Sequence, residues 1–323
     1  MKTNPIVSVM IPCYNHAAFL GDCLNSILAQ DYEQIELLIC DDCSTDDSFA
    51  VIQSYESRLR ERVSDVSIMR NETNCGVTKN VNRMLAQAKG AYLKTIASDD
   101  AMAPNAISAM VSYLENNPQI DIAVSNGRKV REDQHYPFAS GEEKIYVLSP
   151  DFSERGMFER TARCNQISAP AAMVRRSVYE PYGYYDEQLK VEDYEFWLRI
   201  LKDGQVRFGF LDQELIYYRI NANSMTSMTG NAGLARRRKL IHQSEMDTLN
   251  KYRNYLEKAV YAEIVLSRIF SERWLAVAHR LTDWEAELYQ QWKAFEGWKD
   301  LPFGKRLRFR TLSARQNIKK RLR

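Results

Sequence analysis

The chain predicts an α/β fold, a Rossmann-type, mostly parallel sheet flanked by helices, followed by a helical C-terminal extension. Three observations point there. Apolar, β-capable runs alternate with helical periodicities four times before residue 100. Two of those runs end in paired carboxylates, Asp41-Asp42 and Asp99-Asp100. From Gly233 onward strand patterning stops and helical spacing takes over. Strand–helix alternation implies parallel strands wrapped by helices. Right-handed crossovers then gather the strand C-termini along one edge, where open α/β sheets bind their ligands.

The elements follow in order. Ile6 to Ile11 reads as a buried strand stopped by Pro12, and Leu20, Leu24, Ile27 and Leu28 mark a helix over about 17–29. Ile35–Cys40 is a second strand. Ser44 or Thr45 is expected to cap the next helix, whose inner face is Phe49, Ile52, Tyr55 and Leu59. Val66–Met69 is a third strand. Asn74-Cys75-Gly76 turns the chain into a helix with Val77, Val81, Met84, Leu85 and Ala88 inward. A fourth strand, opening at Gly90, runs into Ser98-Asp99-Asp100, with Pro104 in the first turn of the helix after it. Ser-Asp-Asp is also ordinary turn vocabulary. Its interest comes from lying on the same edge as Tyr14 and Asp42.

Ile107, Val111 and Leu114 mark another helix and Ile120–Val124 another strand. Residues 127–160 read as a strand pair plus a mobile loop over the cleft. Ser168–Val174 reads as a strand, and Gly183–Glu187 as a turn. Phe196, Trp197, Ile200 and Leu201 give a helix whose N-terminus carries Glu192 and Asp193. The helix dipole favours acids there and keeps them ionised. Val206–Phe210 and Leu215–Tyr218 look like two strands, with Arg219 and Asn221 after them.

Charge is unevenly spread. The chain carries 44 Lys+Arg against 42 Asp+Glu, a net of +2, yet nine of the basic residues and no acid fall in residues 301–323. That leaves 35 against 42, a net of −7, for residues 1–300. No apolar run approaches the ~20 residues of a membrane span, and the opening residues carry no leader pattern. The expectation is a cytoplasmic protein. The six cysteines are scattered, and Cys40-x-x-Cys43 lacks the second pair or His cluster of a zinc site. The four histidines, His16, His135, His242 and His279, have no metal-ligand spacing and read as surface or packing residues. No G-x-G-x-x-G follows the first strand and no G-x-x-x-x-G-K-S/T occurs, which excludes dinucleotide oxidoreductase and P-loop chemistry.

Five stretches in sequence resemble the family 2 glycosyltransferases of GT-A fold. They are Val9–Asn15, Asp41–Asp46, Asn74–Asn80, Ala97–Asp100 and Glu192–Arg199. The resemblance runs from Pro5 to about Ser227. It implies an inverting transfer of a sugar from a nucleotide donor. It also implies that Pro12, Tyr14, Asn15, Asp42, Asn74, Lys79, Ser98 and Asp99 line the nucleotide site, Tyr14 packing on the base and Asp42 accepting from its ring imino N–H. Uracil and thymine carry that donor and cytosine does not, so a UDP-sugar is the first expectation and a dTDP-sugar the second. Guanine also carries a ring N–H, and GDP stays open. Asp99 would ligate Mg²⁺ or Mn²⁺ on the diphosphate, with Asp100 and Glu192 positioning donor or acceptor sugar and Asp193 as general base. Two positions depart from the family: Ala97, where an acid is frequent, and Asn221, where a His is frequent two residues after the Arg matching Arg219. No Q-x-x-R-W occurs and no span exists, so one sugar per encounter is expected rather than processive synthesis.

The expected organisation is a catalytic domain over 1–230, a helical extension over 231–300 and a basic amphipathic tail over 301–323. In the tail Phe303, Leu307, Ala314, Ile318 and Leu322 share one face. Such a helix suits an anionic membrane surface, although a solvated tail has the same composition. Nothing else in the chain is basic, so nucleic acid is not expected. The leading expectation is a peripheral enzyme on the inner face of the plasma membrane, building cell-surface polysaccharide on a glycan or lipid-linked acceptor. Two alternatives remain. A sugar nucleotidyltransferase would need a Gly-rich basic loop where Cys13-Tyr14-Asn15-His16 stands. An inactive relative that binds sugar nucleotide or tethers partners is suggested by Ala97 and Asn221.

Overall fold

The structure, a computed structural model, describes residues 4–138, 144–145, 156–165, 167–221, 233–306 and 308–309. Within it lie two compact units: Met1–Thr161, Asn165–Gln188 and Phe196–Asn221 make the first; Ala162–Cys164, Leu189–Glu195 and Ala222–Arg323 make the second.

The first unit is built on one mixed sheet. It begins with β1 (Val7–Cys13), α1 (Ala17–Leu28), β2 (Ile35–Asp41), α2 (Ser48–Arg62), β3 (Asp65–Arg70), α3 (Val77–Leu85) and β4 (Tyr92–Thr95). β5 (Ala101–Met102), α4 (Ala106–Asn116), β6 (Ile122–Arg131), β7 (Lys144–Ile145), α5 (Met157–Arg163), β8 (Ala172–Arg175), α6 (Tyr179–Tyr182), α7 (Glu192–Leu201) and β9 (Phe208–Ile220) follow. The strand order is β3-β2-β1-β4-β8-β6-β9-β5, with β7 on β6. β3, β2, β1 and β4 are mutually parallel, as the alternation predicts; β8 runs antiparallel to both its neighbours. Helices cover both faces of the parallel part, so every residue of β2 is buried. That is why its sequence is a continuous apolar run rather than an alternation. Where β4 begins, a Cβ on Gly90 would lie 2.6 Å from the Ser8 backbone nitrogen, so only glycine lets the two chain segments approach.

Several elements differ from the sequence reading, each for a local reason. β1 continues through Pro12, because its ladder with β4 already stops at Met10. The missing N–H therefore costs no bond on that side. α2 starts at Ser48 rather than near Ser44; Asp46 holds both the backbone N–H and the hydroxyl of Ser48 and delays the helix. Pro104 stands just before the N-cap of α4. Val77 is exposed. Pro170 turns residues 169–171 into a 3₁₀ segment, so β8 is shorter than expected. β6 extends to Arg131, and β9 is one strand that absorbs its irregularity as a bulge opposite Ser125–Gly127. The loop expected over the cleft falls mostly outside the described residues.

The second unit is helical, as the spacing after Gly233 predicts: α8 (Leu234–Lys251), α9 (Lys258–Ala278) and α10 (Thr282–Ala294). The stripe from Leu249 to Ile269 is broken by a turn at Arg253–Tyr255, so it spans two helices. Ala262, Leu266, Phe270, Leu301 and Phe309 form one small core, with Trp292 and Trp298 against it. Leu301 and Phe309 thus face inward while Phe303 is 76% exposed, a different face from the one expected of the tail. Residues 310–323 lie outside the described residues. Glu195, fully buried, accepts from Lys251 Nζ at 2.8 Å and the Tyr252 hydroxyl at 2.6 Å. No helix among the described residues is long and apolar enough to cross a membrane.

Candidate functional site

The C-terminal ends of β1, β2 and β4 bring three loops together. Asp42 N–H donates to Cys13 O at 2.8 Å, and Ile96 N–H to Met10 O at 3.0 Å, so β1 is tied to both neighbours at this edge. Tyr14 is 42% exposed here. Asn15, at φ +54°, accepts from Thr45 N–H at 2.8 Å and receives the Ser44 hydroxyl as acceptor for its own N–H at 2.9 Å. It therefore stitches the first loop to the second.

Asp42 is almost fully buried. Its Oδ1 accepts from Cys75 N–H at 2.9 Å and Asn71 Nδ2 at 2.7 Å, and its Oδ2 from Gly76 N–H at 2.8 Å. Burial works against its ionisation, but the donors from Cys75, Asn71 and Gly76 outweigh it and hold the carboxyl below the usual range. Gly76 sits at φ +87°, which glycine adopts freely, just ahead of α3. Asn74 and Lys79 are exposed nearby in sequence.

The β4 end is organised differently. Asp99 Oδ2 accepts from Asn221 Nδ2 at 2.8 Å, while Asp99 Oδ1 accepts no hydrogen bond among the described residues. Asp100 Oδ1 accepts from Arg219 N–H at 2.9 Å, but its buried Oδ2 has no partner. Burial, reinforced by the adjacent Asp99 charge, pushes the Asp100 carboxyl well up. Burial likewise pushes Lys94 down to about 7; its ammonium nitrogen donates to the Pro170 carbonyl. Ser98 is buried, its hydroxyl 2.8 Å from His16 Nδ1.

Arg219 ties this end together, although the sequence reading placed it only as the family-matching Arg before Asn221 and gave it no site role. Fully buried, it donates from Nε to Asp99 O at 2.9 Å, from Nη1 to Arg131 O and Gln134 O, and from Nη2 to Asp22 at 2.7 Å. It also lies 4.9 Å from the Phe19 ring centroid. Its signal was weak because an Arg at the end of a strand usually reads as surface. His16 is the other addition: it has no ligand spacing in the sequence, yet the fold sets it beside Ser98 and Asp99. Cys13, Cys23 and Cys40 are buried, and burial raises all three thiols, Cys13 to about 11 and Cys40 to about 12. That fits packing rather than reactivity.

Glu192 and Asp193 open α7, in the segment Leu189–Glu195 that belongs to the second unit. Burial of its carboxyl, then the Asp193 charge, raises Glu192 to about 8.

Among the described residues no three His, Cys, Asp or Glu side chains are arranged to hold a metal. Asp99 nonetheless fits a share of one: a nearly buried carboxylate with an open oxygen, next to a second buried carboxyl whose Oδ2 lacks a partner. Mg²⁺ is commonly bound this way, through one or two carboxylates with substrate phosphates completing the shell.

Residues 8–183 match the model of glycosyl transferase family 2. The chain is 28% identical over 220 residues to the protein named as glycosyltransferase EpsE of Bacillus subtilis strain 168, covering 67% of this chain and 73% of that one. It is 27% identical over 202 residues to the protein named as colanic acid biosynthesis glycosyl transferase WcaA of Escherichia coli K12, covering 62% and 68%. Among solved structures, residues 1–349 of Staphylococcus aureus TarS with UDP-GlcNAc superpose with TM-score 0.54 at 18% identity, covering 88% of this chain and 89% of that one. The chain spans 54% of the longer TarS chain. The mannosyltransferase PcManGT of Pyrobaculum calidifontis, with GDP-Man and Mn²⁺, gives TM-score 0.57 at 16% identity, covering 99% and 87%. Both structural likenesses concern the fold, which is GT-A.

Proposed function

The chain belongs to glycosyl transferase family 2, and on that premise we propose that it moves one sugar, with inversion, from a nucleoside-diphosphate sugar to a hydroxyl of a growing surface polysaccharide. The observation that carries this reading is the uneven treatment of acids along one sheet edge: both oxygens of Asp42 take protein donors, whereas Asp99 and Asp100 each keep one oxygen without a donor among the described residues. A diphosphate brought with a divalent cation supplies the missing positive charge.

In this reading Tyr14 offers its exposed ring to the base, with Pro12 and Asn15 shaping the pocket. Asp42, whose Oδ2 takes one protein donor, retains a lone pair for the base imino N–H. That favours UDP, the nucleotide named with TarS. GDP, named with PcManGT, carries a comparable ring N–H. Asn74, Lys79 and Ser98 border the ribose and phosphates. Asp99 holds Mg²⁺ or Mn²⁺, which when bound offsets charge on the departing diphosphate. Asp100 and Glu192 position the sugars. Asp193 accepts the proton from the acceptor hydroxyl as its oxygen attacks the anomeric carbon and the bond to the diphosphate breaks. The colanic acid biosynthesis in the name of WcaA supports a surface-polysaccharide acceptor, glycan or lipid-linked. The basic residues of 301–323 suit the inner leaflet of the membrane bearing such an acceptor.

A panel of nucleotide sugars, followed as release of the nucleoside diphosphate, tests the reading with Asp193→Asn as control. A general base contributes ~10²–10⁴-fold. The variant should lose turnover by that factor while binding UDP or GDP as the wild type does. Equal turnover in the variant removes Asp193 from the chemistry.

A further inference from the structure

The segment that opens α7 and carries Asp193 is fastened by side chains of the helical unit. Lys190 and Val191 stand just ahead of α7, and both donate their backbone N–H to one atom, the Ser244 hydroxyl oxygen of α8, at 2.9 Å and 3.0 Å. Val191 brings no side-chain oxygen to this helix start, where Ser, Thr, Asp or Asn is the usual choice. Ser244, buried, supplies a hydroxyl from another helix. Just after Asp193, Tyr194 and Glu195 are gripped as well. The Tyr194 hydroxyl donates to Ala162 O at 2.8 Å and accepts from Arg268 Nη2 of α9 at 3.0 Å. Arg268 pairs in turn with Glu245 of α8 at 2.6 Å. Glu195 takes the Tyr252 hydroxyl and Lys251 Nζ at the end of α8.

Asp193 therefore lies between two sets of hydrogen bonds, one before it and one after it. Glu195 is about 200° round the helix from Asp193, so its bonds hold α7 from the side away from Asp193. A buried carboxylate is costly unless it is paired, and an apolar side chain would fill the same place. What the polar fasteners add is direction: hydrogen bonds fix rotation and register, which apolar packing leaves looser. Such precision matters for a proton acceptor. A general base works within about 2.6–3.2 Å of the proton it takes, and a misplacement of about 1 Å can cost about 10²-fold.

We infer that Ser244 and Tyr252 are positioning residues for Asp193, so that the helices after Gly233 set where the proton acceptor of the sugar transfer stands. The inference rests on the role proposed above for Asp193. It extends that role to helices which the family match over residues 8–183 does not reach. Neither side chain touches substrate: Ser244 acts through the backbone ahead of α7, and Tyr252 through Glu195.

Turnover of a panel of UDP-, dTDP- and GDP-sugars by the full chain, with calorimetry of UDP or GDP binding, tests this. Counting nucleotide sites by calorimetry normalises kcat to folded protein. Ser244→Ala should lower kcat at least about tenfold, with nucleotide Kd within about twofold of the wild type. Ser244→Thr keeps the hydroxyl and should stay within about threefold. Tyr252→Phe should lower kcat about three- to tenfold, since Lys251 still holds Glu195. Repeated on Asp193→Asn, each substitution should cost under about twofold, because nothing is left to position. Should Ser244→Ala fail to fold, Tyr252→Phe and its pairing with Asp193→Asn decide alone. Wild-type kcat in Ser244→Ala or in Tyr252→Phe overturns that residue's role, and a loss undiminished on Asp193→Asn overturns the inference while Asp193 stays the base. A wild type that consumes no sugar of the panel, or an Asp193→Asn that matches it, removes the reading of Asp193 and the inference with it.

Discussion

Asp42 and the Asp99-Asp100 pair end neighbouring parts of one sheet, but the protein treats them in opposite ways. Asp42 receives backbone N–H groups from Cys75 and Gly76 and an amide from Asn71, and its carboxyl is held low. At the other loop Asp99 keeps an oxygen without a donor, Asp100 keeps a buried one, and the Asp100 carboxyl is pushed up. A fold that needed acids only as turn and cap residues would satisfy both alike. On the proposed reading, the contrast separates an acid whose charge the protein itself balances from a pair that a cation brought with the diphosphate would complete.

Removing donors' acceptors should cost most at Asp42. Asp42→Ala leaves the Cys75 and Gly76 N–H groups without their carboxylate, and hydrogen bonds to a charged group are worth about 1.5–3 kcal/mol. Denaturant unfolding should show a loss of about 2–3 kcal/mol. A loss under about 0.5 kcal/mol would erase the contrast. The pH dependence has a definite sign. With its folded pKa lowered, Asp42 contributes stability above the unfolded carboxyl value near ~4, and that contribution fades as pH falls through the lower folded value.

Asp100→Asn should act the other way. A raised folded pKa means that stability is present below the unfolded value and lost as pH rises through the folded one. At neutral pH without metal the native state therefore carries the burden of this carboxyl. The amide keeps an acceptor for Arg219 N–H and removes the charge. Melting temperature at pH 7 should rise by about 2–4 °C, and the gain should shrink toward pH ~4. A variant that melts lower at pH 7 contradicts the account of this loop.

Glu192-Asp193 extends the comparison as a second adjacent acid pair with one raised member. By the same sign, the stability that Glu192 lends is lost as pH rises through about 8. The fall in melting temperature between pH 7 and 9 should be smaller in Glu192→Gln by about 1–2 °C. Identical slopes would mean that Glu192 is solvated like an ordinary surface acid.

How legible all this was depends on which physical signal carried it. The parallel half of the sheet could be read because burial on both faces turns β1 and β2 into unbroken apolar runs. The acids at the strand ends were visible because punctuation follows them directly. His16 could not be read, since what matters is its distance to a residue 83 positions away, and neither neighbour announces it. Arg219 was placed after a strand and matched to a family Arg but given no role, because a charged residue buried among five polar partners looks the same in sequence as an exposed one. The start of α2 was misjudged because Asp46 competes for Ser48, a local bond that capping patterns do not rank. In the helical unit periodicity found the helices but not the inward turn of Leu301 and Phe309, which depends on Phe270 and Trp298.

The most direct test is titration calorimetry of UDP, and of GDP, into the full chain with Mn²⁺, after chelation, and with Asp99→Asn. The account predicts nucleotide binding to the wild type that weakens at least about tenfold on chelation, in line with a cation worth several kcal/mol of charge stabilisation. In Asp99→Asn, binding should be equally weak with or without Mn²⁺. Nucleotide affinity indifferent to both chelation and the substitution would contradict it.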